Sequence, residues 1–86
     1  MLKLNSLKRS ALICYALEWK EMTKKEIMDH LWDKMNENCC ESTIEKTIYF
    51  LRNDMDAPIE YNRYTKKYYI SGNYSFTDNL INLIKL

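Results

Sequence analysis

The sequence predicts a mainly α domain carrying one small β-hairpin: three helices, a two-stranded hairpin and a short C-terminal helix. Three observations lead there. Apolar residues recur at helical spacing from Leu7 to Met55, the period falls to two after the chain's one proline, Pro58, and an apolar cluster closes the sequence. One Gly and one Pro in 86 residues leave little material for open loops, so long elements with brief joins are expected. The length suits one domain spanning 1–86, below the common size of roughly 100–150 residues. A core this thin gains from burial against a partner subunit.

The first helix is expected over about 6–20, where Leu7, Ala11, Cys14 or Tyr15, and Leu17 can share a face. Thr23-Lys24-Lys25-Glu26 then fits a capping box, in which hydroxyl and carboxylate satisfy the free amide donors of a helix start. Behind it Ile27, Met28, Leu31, Trp32 and Met35 set the apolar stripe of a second helix over about 24–35, with Glu26, Asp29 and Asp33 opposite. Asn36-Glu37-Asn38 reads as a turn. Ile44, Ile48, Leu51 and Met55 are four, three and four apart, giving a third helix over about 41–55. Its start is open between a capping box at Ser42-Thr43-Ile44-Glu45 and a beginning nearer Cys40. Ala57-Pro58 ends it, because a residue before proline disfavours the helical conformation.

The hairpin is expected over about 58–71, with Ile59, Tyr61, Tyr68 and Ile70 on one side and Arg63-Tyr64-Thr65-Lys66 as the turn. Ser71-Gly72-Asn73 stops the second strand. Thr77-Asp78 can cap a last helix over about 78–86, holding Leu80, Ile81, Leu83, Ile84 and Leu86. Trp19, Trp32, Tyr15 and Phe50 are expected in the core.

Charge and cysteine usage narrow the function classes. Thirteen basic and 12 acidic residues give a formal charge of +1, so any nucleic-acid binding needs a segregated patch. Three cysteines, two of them adjacent at Cys39-Cys40, do not form a disulfide framework and read as reduced structural thiols of a cytoplasmic protein. With Cys14 and His30 they match no zinc spacing, so no metal is expected. A single His, no Gly-rich phosphate loop and no nucleophile–base pair argue against an enzyme and against a cofactor. Lys3, Lys8 and Arg9 interrupt Met1–Ser10, so no signal peptide is expected. No apolar run approaches the roughly 20 residues of a membrane span. No small-molecule ligand is evident.

Three helices and a two-stranded wing is the element order of a winged helix-turn-helix domain, whose third helix enters the major groove while the hairpin flanks it over the backbone. The motif residues sharpen this. Thr43-Ile44, Ile48 and Leu51-Arg52, then Ala57-Pro58-Ile59-Glu60-Tyr61-Asn62-Arg63, then Lys67-Tyr68-Tyr69 resemble the N-terminal domain of bacterial WYL-domain transcriptional regulators. That family's recognition helix leads into an Ala-Pro-Ile-Glu-Tyr-Asp-Arg wing closed by Gly-Tyr-Tyr, and Tyr74-Ser75-Phe76-Thr77-Asp78 resembles the segment after it. The resemblance spans residues 23–78 and implies a sequence-specific duplex DNA-binding domain of a transcriptional regulator. The WYL domain that follows in the family is not expected within these residues. The family's wing glycine is Lys67 here, so the turn is expected to close without a residue that adopts positive φ cheaply. Its Ser-Arg-Arg at the head of the third helix is replaced by Cys40-Glu41-Ser42.

Ser42, Thr43, Lys46 and Tyr49 lie off the apolar stripe of the third helix and are the candidates for reading base edges. Lys24, Lys25, Arg52, Arg63, Tyr64, Lys66 and Lys67 are the candidates for backbone contact, with Lys3, Lys8 and Arg9 flanking them. Glu41 and Glu45 oppose phosphates. The alternative is a winged helix that dimerises or holds a protein partner without touching DNA. A homodimer is expected through Leu80, Ile81, Leu83, Ile84 and Leu86, more apolar surface than a short helix buries alone.

Overall fold

The computed structural model describes residues 4–85, with side chains over 6–82. Lys3, Leu83, Ile84 and Leu86, which entered the flanking-contact and dimer expectations, lie outside the described side chains. In chain order the elements are α1 (Leu4–Trp19), β1 (Met22–Thr23), α2 (Lys24–Met35), α3 (Glu41–Asn53), β2 (Ile59–Asn62), β3 (Lys67–Ile70) and α4 (Phe76–Lys85). The strands make an antiparallel sheet in the order β1-β3-β2. Among the described residues no helix is long and apolar enough to cross a membrane.

The sheet has three strands where two were expected. Met22 pairs with Tyr68 and Thr23 with Lys67, so the segment before α2 becomes a short edge on β3. Two residues are too few to show an alternating pattern, which is why the sequence hides this strand. The hairpin register is as expected: Ile59 faces Ile70 and Tyr61 faces Tyr68. The two tyrosine rings sit 4.8 Å apart, centre to centre, the kind of cross-strand aromatic pair that stabilises a sheet.

Thr23 does double duty. Its hydroxyl accepts from the Glu26 backbone N–H at 3.2 Å, and the Glu26 carboxylate accepts from the Thr23 N–H at 2.9 Å, completing the capping box of α2. That backbone hydrogen bond holds the Glu26 carboxyl below its ordinary pKa, helped by the hydroxyl and by the charges of Lys67 and Lys20. At the far end Asn36 closes α2 in the left-handed conformation, φ 53°, its N–H donating to the Trp32 carbonyl.

The other helix boundaries differ by a few residues, each for a local reason. α3 starts at Glu41 with Cys40 as its N-cap, so the Ser42–Glu45 capping box does not form. It ends at Asn53, two residues before Met55, because the chain turns at Asp56 (φ 54°) and the Ala57 N–H reaches back to the Leu51 carbonyl. α4 begins at Phe76, with the Ser75 hydroxyl accepting from the Asp78 N–H. Thr77 is therefore not the cap; its hydroxyl lies 3.0 Å from that of Tyr15 on α1.

One core joins the elements. Ile13, Cys14 and Leu17 of α1, Ile27 and Leu31 of α2, and Ile44, Ile48 and Leu51 of α3 enclose it with Met22, Met55, Ile59 and Phe76. Tyr74 fixes the chain after the sheet, donating its hydroxyl to the Met55 carbonyl at 2.5 Å.

The expected aromatic core is mostly absent. Trp19 is 88% exposed, Trp32 55% and Tyr15 41%; Phe50 alone of the four is half-buried. Adjacent helical residues point about 100° apart, so Trp32 is turned away from the face that Leu31 occupies. Trp19 ends α1 two residues after Leu17, about 200° round the helix from the side that enters the core.

Thr23→Ala removes the cap and is expected to cost about 1 kcal/mol. In a domain of this size that lowers Tm by about 4–8 °C, measured by circular dichroism, while Thr23→Ser keeps the wild-type value. An unchanged Tm in the Ala variant contradicts the role given to this residue.

Candidate nucleic-acid interface

α3 divides cleanly by burial. Ile44, Thr47, Ile48 and Leu51 face the core, whereas Ser42, Glu45, Lys46, Tyr49, Arg52 and Asn53 are exposed. Ser42, Lys46, Tyr49 and Asn53 are spaced by four, three and four residues and so form one continuous outward stripe. Tyr49 is 69% exposed, with its backbone carbonyl taken by the Asn53 amide at 2.8 Å. Thr43 is half-buried beside the stripe. The structure thus brings the four base-reading candidates together at the outer surface of one helix.

The backbone candidates divide into two groups. Lys25 is exposed at the start of α2, and Arg63, Tyr64 and Lys66 are exposed at the hairpin tip, Tyr64 almost completely at 99%. Asn62 builds this tip: its side-chain oxygen accepts from the N–H groups of Tyr64 and Thr65, and its carbonyl accepts from the Lys66 N–H at 2.7 Å. The turn was expected to close without a residue that adopts positive φ cheaply, and the left-handed position falls on Lys66, at 60°. Asn62's three hydrogen bonds offset a conformation that costs a residue with a Cβ about 1–2 kcal/mol. The left-handed position is therefore filled by the residue just before Lys67.

The second group is committed within the protein. Lys24 Nζ lies 2.6 Å from Glu45 Oε1, an ion pair that raises the Lys24 pKa chiefly through that hydrogen bond. Arg52 donates its Nε to the Ile59 carbonyl at 2.8 Å, tying the end of α3 to the first residue of β2. Lys67 is half-buried, opposite Thr23 and Asn62 in the sheet and close enough to Glu26 to lower its pKa. Arg9, expected to flank the interface, instead forms an ion pair with Glu37.

Cys40 was read as a structural thiol, and its surroundings correct that. It is exposed at the N-cap of α3, with the hydroxyls of Ser42 at 3.1 Å and Thr43 at 3.3 Å. These hydroxyls, with the backbone N–H groups of Thr43 and Ser42, push the Cys40 thiol down to about 6. A helix N-terminus favours the thiolate in the same sense. Cys14 and Cys39 behave oppositely: burial drives Cys14 up to about 12 and raises Cys39. The head of α3 therefore carries Cys40 and Glu41 as negative groups, while Glu45 is covered by Lys24. In sequence, the signal was a cysteine at a helix start with hydroxyl residues two and three positions later.

No family model, curated protein or solved structure matches the chain.

Cys40 is expected to react with iodoacetamide at neutral pH well before Cys14 or Cys39, and its ultraviolet thiolate absorbance to titrate near pH 6. Ser42→Ala should move that titration upward. Because the folded value lies below that of a free thiol, about 8.5, the stabilising contribution is present at alkaline pH and is lost as pH falls through about 6. Uniform reactivity of the three cysteines contradicts the assignment.

Proposed function

We propose that this chain is a sequence-specific duplex DNA-binding domain of winged helix-turn-helix type, serving a cytoplasmic transcriptional regulator and catalysing no reaction. The observation carrying this reading is the exposed stripe Ser42, Lys46 and Tyr49 on α3, beside a hairpin whose tip presents Arg63, Tyr64 and Lys66. α3 has the dimensions to lie in a major groove, where hydroxyls suit either kind of base edge and a lysine donates to guanine acceptors. The hairpin tip has the composition of a phosphate contact, with an exposed ring between two cations. Arg52, bonded to Ile59, holds the two parts in a fixed relation. The likeness of residues 23–78 to the N-terminal domain of WYL regulators supports the same assignment.

The rival reading is a module that holds a protein partner. The exposure of Trp19 and Trp32 favours it, as do the negative groups at the head of α3. Self-association belongs with either reading: Ile81 on α4 is 45% exposed while neighbouring Leu80 packs on the core. We propose a homodimer through this helix, which would also place two readers on half-sites about one turn apart.

Anisotropy titrations against duplex DNA at several salt concentrations test the main reading. Log affinity should fall against log salt by about 0.9 per phosphate contact, and Arg63→Ala with Lys66→Ala should remove about two such contacts on every sequence alike. Lys46→Ala should instead cost about 1–3 kcal/mol of discrimination between preferred and scrambled sites. Absence of duplex binding, with the Trp32 surface capturing protein, would establish the rival. Light scattering tests the dimer: a mass near 10.4 kDa refutes it.

A further inference from the structure

Behind the exposed stripe, α3 and α1 enclose an open groove of about 380 Å³. Ser6, Arg9 and Ser10 form one wall; Thr43, Lys46 and Phe50 form the other. The volume falls within the span of about 300–1,000 Å³ found for small-molecule sites. Its chemistry is selective. Arg9 is only 15% exposed and is held by Glu37, but its Nε is buried with no hydrogen-bond partner among the described residues. A guanidinium nitrogen left so is an unsatisfied donor in a residue of the groove wall, although buried polar groups are nearly always paired.

Lys46 is exposed and forms no ion pair among the described residues. The hydroxyls of Ser10 and Thr47 are spent on backbone carbonyls of their own helices, at 2.9 and 2.8 Å, and that of Thr43 lies 3.3 Å from the Cys40 thiol, leaving that of Ser6 as a donor. Half-buried Phe50 adds a flat apolar wall.

Arg9 is paired with Glu37, so Lys46 is the groove-lining cation that has no ion pair among the described residues. One unpaired cation with a hydroxyl donor and a ring matches a ligand of one negative charge and one planar apolar part. A guanidinium fork suits a carboxylate in particular. We infer that the groove between α1 and α3 binds a small aromatic carboxylate, its carboxylate between Arg9 and Lys46 and its ring against Phe50. Such a ligand engages Thr43 and Lys46, two of the residues assigned to base reading, and therefore competes with DNA. That competition rests on the proposed DNA reading; the binding site does not.

The test is proton–nitrogen correlation NMR of the full chain titrated with sodium benzoate, then with acetate, which lacks the ring, and benzamide, which lacks the charge. Benzoate should give saturable shifts centred on residues 6–10 and 43–50, with affinity at least about tenfold above either control. Lys46→Gln, an exposed change that leaves the core intact, should weaken benzoate about tenfold. Lys20→Gln, beyond the other end of α1, should not. No localised shifts, or equal shifts with benzamide, would overturn the site. Adding saturating benzoate to the duplex titration separates the two proposals. Weakened DNA binding supports the competition, and unchanged DNA binding refutes it. A chain that binds benzoate and no duplex refutes the DNA reading while the groove stands.

Discussion

The geometry turns on Thr23. Its backbone continues β1, opposite Lys67 of β3, while its side chain and N–H close the capping box with Glu26. One residue thus belongs to the sheet and to the start of α2, with no linker between them. Because the junction has no slack, the position of the hairpin follows from the direction of α2. Met22, beside it, is buried in the common core and resists any slip of β1 along β3. Arg52 makes the matching connection from the other side, bonding α3 to the first residue of β2. The hairpin is held at both its strands, and a structure so short of hydrophobic volume needs such ties to keep its surface elements in register.

What could be read from the sequence was whatever is periodic or carries a local hydrogen-bond motif. The stripe Ile44, Ile48, Leu51 located α3, the Thr23–Glu26 box located α2, and the alternation around Ile59 and Ile70 located the hairpin and its register. Features decided by tertiary pairing were not legible. β1 exists because β3 is there to receive Met22 and Thr23. Trp19 and Trp32 looked like core on composition, yet burial follows the angle at which a side chain leaves its helix, and smaller residues take the inward positions. The candidate site divides in the same way. The outward stripe of α3 was visible as the complement of its buried one. The engagement of Lys24 by Glu45, of Arg9 by Glu37 and of Arg52 by Ile59 joins residues 21, 28 and 7 positions apart, pairings that no local pattern encodes.

Those pairings also bear on how, in the DNA reading, a chain of formal charge +1 would present a surface to a polyanion. An ion pair at the surface contributes at most about 1 kcal/mol to stability. Its larger effect here is to sort charge. Lys24 covers Glu45, the carboxylate that stands between Ser42 and Tyr49 on α3, and so removes repulsion from the middle of the stripe. Glu37 covers Arg9 and leaves Lys46 as the cation of that stripe. At the first turn of α3 Cys40 and Glu41 are negative, where free amide donors stabilise them, and Asp54 and Asp56 follow its far end. The positive groups gather at the hairpin tip, where Asn62 fixes the turn. The result is a surface graded in charge between these two places, negative at the helix head and positive at the hairpin tip. A uniformly basic surface would bind any phosphate backbone in any orientation. A graded one penalises placements that bring the head of α3 against phosphate, and in the DNA reading this orients a weakly charged domain before any base is contacted.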